Sequence, residues 1–182
     1  MDRRALAAAF FTLAFVSAEA HMAPVCSGER KAEISSLSPD DVKGHLAGHG
    51  MGLARAAEMN GYPGPLHVLE LAKELSLSPP QKKLTEELVA ATKAKAIDAG
   101  RALVEAERAL DELFCTRKAT QENVADAVAR IGQRQAEVRR VHLAAHIRQV
   151  EILSPPQVLR YYELRKQPDL VKAMSHGEGT KH

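Results

Sequence analysis

Four of the eight histidines in this 182-residue chain stand in two His-x-x-x-His pairs, His45 with His49 and His142 with His146. Residues four apart on a helix share a face, so each pair can turn two imidazoles to one side. Neutral imidazole is a good ligand for Zn²⁺, Ni²⁺ or Cu²⁺. If the helix carrying the first pair packs along the helix carrying the second, four rings converge on one ion. Glu58, Glu70, Met51 and Met59 are available as further donors, while His67 and the tail histidines rank below them. Packing accounts for the same positions. At about 100° per residue, His142 falls roughly 20–40° and His146 about 60° from the centre of the apolar stripe of their own helix, where a half-buried ring needs no metal. The spacing also lacks the glutamate of His-Glu-x-x-His, so zinc hydrolysis is not expected.

Other catalytic chemistry is absent from the sequence. The glycines between Gly44 and Gly52 follow no strand and lack the Lys-Ser/Thr ending of a phosphate loop. Cys26 and Cys115 form no Cys-x-x-Cys and sit beside no basic helix start that would activate a thiol. Acids alternate with bases as on a solvated face, and the net charge of +2, from 25 basic and 23 acidic residues, gives no reason to expect nucleic acid. The expectation is a non-enzyme that requires no cofactor.

The elements that would position these residues are announced by a repeat. Leu77-Ser78-Pro79-Pro80-Gln81 returns unchanged as Leu153-Ser154-Pro155-Pro156-Gln157. In each copy the serine can cap a helix, the first proline sits where a missing N–H costs nothing, and the leucine can fold back as a staple. Leu37-Ser38-Pro39-Asp40-Asp41 repeats the logic in degenerate form. From there Val42, Leu46, His49 and Leu53 mark one face of an amphipathic helix that its glycines weaken, and Asn60–Pro65 closes it with turn residues. A short helix is predicted near Pro65–Ser76.

The first long arm then runs from Pro79 to about Leu113, with Leu84, Leu88, Ala91, Ala99, Leu103, Ala106, Leu110 and Leu113 as its packing seam. A break in phase near Lys95–Gly100 suggests a bend or a change of partner. Phe114–Ala119 is the predicted turn, Thr120 caps the return arm, and Val124, Val128, Ile131, Val138, Val141, Ala145 and Ile152 form its stripe. A final helix spans about Pro155–Lys166. Low aromatic content, 4%, suits a core of Leu, Ala and Val between helices. The predicted fold is all-α: an elongated antiparallel helical hairpin with short flanking helices.

The two pentapeptides flanking a hairpin resemble the LTxxQ motifs of the Spy/CpxP family of periplasmic proteins, with Ser78 and Ser154 in place of threonine. The resemblance covers roughly residues 37–167. It implies a homodimer that binds unfolded envelope proteins without nucleotide, or a regulatory ligand for a membrane sensor. Relatives of the ZraP and CnrX type imply the alternative, a heavy-metal sensor, here through His45, His49, His142 and His146. The pentapeptides themselves read as capping and packing rather than ligand contact.

The N-terminus supports export. Arg3 and Arg4 precede the apolar run Ala5–Val16, which ends in the small-residue pattern Ala18-Glu19-Ala20. Residues 1–20 are therefore read as a cleaved signal peptide, leaving no stable membrane span and placing the protein in the periplasm. Residues 21–36 are expected to be a flexible lead, 37–167 the helical domain and 168–182 a disordered tail. In that compartment Cys26 and Cys115 can form an intramolecular disulfide, an intermolecular one, or none.

Overall fold

The computed structural model describes residues 34–166. The expected signal segment 1–20, the lead as far as residue 33 and the tail from residue 167 lie outside the described residues. Within them the chain is mostly helical and all-α, with no strand and only an isolated bridge between Ile34 and Leu37. None of these helices is long and apolar enough to cross a membrane.

Among the described residues six helices follow in order: α1 (Pro39–Leu46), α2 (Arg55–Glu58), α3 (Pro65–Glu70), α4 (Pro79–Cys115), α5 (Gln121–Ile152) and α6 (Pro155–Leu164). Local capping chemistry sets their starts. Ser38 and Asp41 exchange bonds at the head of α1, Ser78 and Gln81 at α4, and Thr120 and Asn123 at α5. Ser38 donates from its hydroxyl and its N–H to Asp41, and because the carboxylate accepts these bonds more strongly than the acid, they hold its pKa below the usual value.

At 1.5 Å per residue, the 37 residues of α4 extend about 55 Å and the 32 of α5 about 48 Å. Gln81 pairs with the carbonyl of Ile152 and Thr85 with Gln149, so position falls along α5 as it rises along α4 and the two run in opposite directions. Ala96, Ala99 and Leu103 of α4 pack with Ile131, Val138 and Val141 of α5. A second core lies at the other end, where Val68 and Leu75 meet Leu153, Val158, Tyr161 and Tyr162, with Leu71, Leu77 and Leu164 against them. The two stapling leucines, Leu77 and Leu153, thus pack in one common core.

Several boundaries differ from expectation. α1 stops at Leu46 instead of continuing to Leu53, because Gly48 and Gly52 take φ of 73° and 78° and Met51 45°, a left-handed backbone that no α-helix accommodates. α3 ends at Glu70 and gives way to turns up to Ser76. α4 persists to Cys115, two residues into the predicted turn, and α6 ends at Leu164. Leu84 and Val128, both assigned to the seam, are about half exposed, whereas Thr85 and Gln149 are fully buried between the long helices. Residues 34–36, expected in the lead, pack on α4: Ser35 N–H donates to Asp111 and Ser36 Oγ to buried Glu107, each at 2.6 Å. Cys115 is disulfide-bonded, and the other cysteine, Cys26, lies outside the described residues.

The change of phase near Gly100 is a change of partner, with α4 unbroken through it. There α1 crosses α4 so closely that a Cβ on Gly100 would stand 2.2 Å from the carbonyl oxygen of His45. Gly132 of α5 is the opposite case: it is exposed, and a Cβ there would meet nothing within 4 Å. Gly132→Ala is expected to stabilise the protein by about 0.5–1 kcal/mol through helix propensity alone, read as a higher urea midpoint at unchanged slope.

Candidate functional site

The repeated pentapeptides meet each other. Gln81 and Gln157 each occupy the third position of their helix, where the side-chain oxygen accepts the N–H of its own capping serine, at 3.1 Å from Ser78 and 2.9 Å from Ser154. Each amide nitrogen then reaches across the repeat. Gln81 Nε2 donates to Gln157 Oε1 at 2.8 Å and to the carbonyl of Ile152 at 2.9 Å, while Gln157 Nε2 donates to Gln81 Oε1 at 3.1 Å and to the carbonyl of Leu75 at 3.2 Å. The result is a reciprocal clasp with near two-fold symmetry. It serves capping, as the sequence implies, and it also fastens the start of α4 to the end of α5 and the start of α6. This second role is invisible in either copy alone.

Between the clasp and the α1 crossing, a cleft of about 660 Å³ opens between the loop Gly48–Gly52, the α2–α3 segment and one side of α4 and α5. His49, His67, His142 and His146 all line it, together with Met51 and Glu58. Three of the four candidate histidines therefore share one cavity, but not on paired helical faces. His49 lies beyond the end of α1, so it does not share a helix with His45, and it is exposed. His45 is buried at the contact with Gly100 and is not part of the lining; its Nδ1 has no hydrogen-bond partner. Met59 and Glu70, offered as further donors, do not line the cleft.

His146 is the best-positioned ring. Carried by α5 and buried, it places Nδ1 2.8 Å from the carbonyl of Tyr62. A carbonyl only accepts, so Nδ1 carries the proton and, in the neutral ring, Nε2 keeps a free lone pair. His142, one turn earlier, is half-buried with Nε2 unpartnered. Burial first, then the proximity of His146 and His45, pushes its pKa down, so it is neutral near pH 7.

The sequence underrated His67. It stands 3.9 Å from Glu58 across the turn Asn60–Pro65, and a Cβ on Gly64 would lie 3.4 Å from His67 Nδ1 and 3.5 Å from His146 Nε2. The signal was present, since a dense turn between Glu58 and His67 must fold the chain back on itself. Even so, among the described residues no three His, Cys, Asp or Glu side chains group closely enough to hold one ion.

No family model matches this sequence, and no curated protein and no solved structure is significantly similar to it. The clasp, the cleft and the surface of the long helices are the features that bear on function. That surface mixes charge with apolar groups. Leu84, Phe114, Val128 and Ile147 are each about half exposed or more, on helices whose flanks carry ion pairs such as Lys82–Glu86 and Arg140–Glu137. These exposed pairs, screened by solvent, contribute little stability and chiefly keep the surface charged.

Proposed function

We infer that this chain is an exported, non-catalytic protein of the Spy/CpxP type, a helical hairpin acting as a dimer in the periplasm to hold unfolded envelope proteins without nucleotide. The observation that carries the reading is the glutamine clasp. It gives a joint task at the base of α4 and α5 to the two Leu-Ser-Pro-Pro-Gln copies from which the resemblance is drawn. Exposed apolar side chains set among charges on the same two helices supply the kind of surface that unfolded chains adhere to. A membrane sensor is the other partner consistent with such a surface. Fluorescence anisotropy of a labelled, permanently unfolded polypeptide tests the reading. Saturable binding without ATP is expected, weakened by adding charge at Val128 or Ile147; anisotropy that stays flat for several such polypeptides would overturn it.

A second reading, metal binding for sensing or buffering, is favoured by one observation: His146 has its free Nε2 fixed by the Tyr62 carbonyl, the outer-shell arrangement that orients a metal-bound imidazole. Zn²⁺, Ni²⁺ and Cu²⁺ are the ions this ring suits.

A further inference from the structure

We propose that the cleft beside His146 binds an iron tetrapyrrole, with His146 Nε2 as the axial ligand. The inference rests on the cleft alone and is independent of client binding. A bare ion needs three or four protein donors, and no three such side chains are grouped here. A metal that arrives inside a macrocycle brings four donors of its own and asks the protein for one oriented nitrogen and an apolar slot. The cleft offers both. His146 is aligned by its Nδ1–H bond to Tyr62, and the volume of about 660 Å³ falls within the roughly 300–1,000 Å³ range of cofactor pockets.

Val89 of α4, Ala145 of α5, Met51 and Leu66 supply apolar lining, and Met51 and Leu66 leave 42% and 57% of their surface in solvent. Lys93 and Arg55, also in the lining, are the cations for two carboxylate arms, with Glu58 the one opposing charge. Gly64 matters for approach: a Cβ there would come within 3.1 Å of the His146 ring, so a larger residue would press on the ligating edge. Binding breaks no covalent bond in the protein; the imidazole lone pair replaces a water on ferric iron.

Titration of the purified protein with hemin tests the proposal. The expected result is a shifted, sharpened Soret band saturating at one hemin per chain, with metal-free protoporphyrin binding about tenfold or more weakly. His146→Ala should lose the band, and added imidazole should restore it. Because that variant also removes a buried contact, Thr92→Trp on α4 provides a second reading: it narrows the cleft from a half-buried helical position and should weaken hemin binding while the helical circular dichroism is retained. A parallel Zn²⁺ titration separates this site from a bare-ion site. An unchanged Soret band in folded His146→Ala, equal affinity for hemin and metal-free porphyrin, or binding beyond one per chain without saturation would each overturn the proposal.

Discussion

Gly100→Ala is expected to lower stability by about 2–3 kcal/mol, although alanine is the better helix former by about 1 kcal/mol. The added Cβ would stand 2.2 Å from the carbonyl oxygen of His45 and 2.8 Å from its carbonyl carbon. Both are backbone atoms of α1, so no rotamer change relieves the overlap; α1 must withdraw from α4 by roughly an ångström or detach. The contrast with Gly132→Ala makes the test decisive. The same substitution in two long helices of one protein should shift the urea midpoint down at Gly100 and up at Gly132. Loss of α1 docking should also raise amide exchange in residues 39–46 before it does so in α5. If Gly100→Ala stabilises the protein, α1 does not cross α4 at that point.

The second large effect is at the clasp. Gln81→Leu removes the acceptor for the Ser78 N–H and the donor to Ile152 and Gln157, and it leaves the Gln157 amide without its cross-repeat partner. At about 1 kcal/mol per net hydrogen bond, with the added cost of orphaned groups, the expected loss is roughly 2–4 kcal/mol, and Gln157→Leu should cost a similar amount. For a chain of this size each kcal/mol corresponds to about 2–4 °C, so Tm should fall by roughly 5–15 °C. The double variant decides whether the two glutamines act together. Once both are leucine neither leaves the other unpaired, so the combined loss should fall short of the sum of the single losses by about 1 kcal/mol or more. Additive losses would mean that each glutamine serves only its own helix start.

What was legible in the sequence follows from how far each cause reaches. The starts of α1, α4, α5 and α6 were readable because capping is decided within four residues: Ser-Pro-Pro-Gln carries it at α4 and α6, Ser38 with Asp41 at α1, and Thr120 with Asn123 at α5. The end of α1 was not. Val42, Leu46, His49 and Leu53 keep helical spacing past the point where Gly48 and Gly52 turn left-handed, so an apolar pattern can outlast the helix when turn and packing together specify something else. The pairing of Gln81 with Gln157 depends on the register of two long helices, which no local pattern fixes. Leu84 and Val128 look like seam residues by spacing, yet the interface seats Thr85 and Gln149 instead, where Gln149 Nε2 donates to Thr85 Oγ1 and Thr85 bonds back to the Gln81 carbonyl. His142 and His146 were read as sharing a site, and both line the cleft; His67 joined them only because the turn before it folds the chain back.

The cleft and the long helices can serve different partners, since Phe114 and Val128 lie towards the α4–α5 turn while His146 lies towards the clasp. A small ligand held at one end would leave the mixed surface at the other open to an unfolded chain. Substitutions confined to the cleft should therefore spare client holding, and charge added at Val128 should spare the Soret response.

The proposed shielding of unfolded chains by contact alone can be followed by light scattering from a reduced or heat-denatured client, with increasing amounts of the purified protein and no ATP. Suppression that is complete near one protein per client and unchanged by adding ATP is the result expected here; aggregation that proceeds at the same rate for several clients, with the protein in excess, would contradict it.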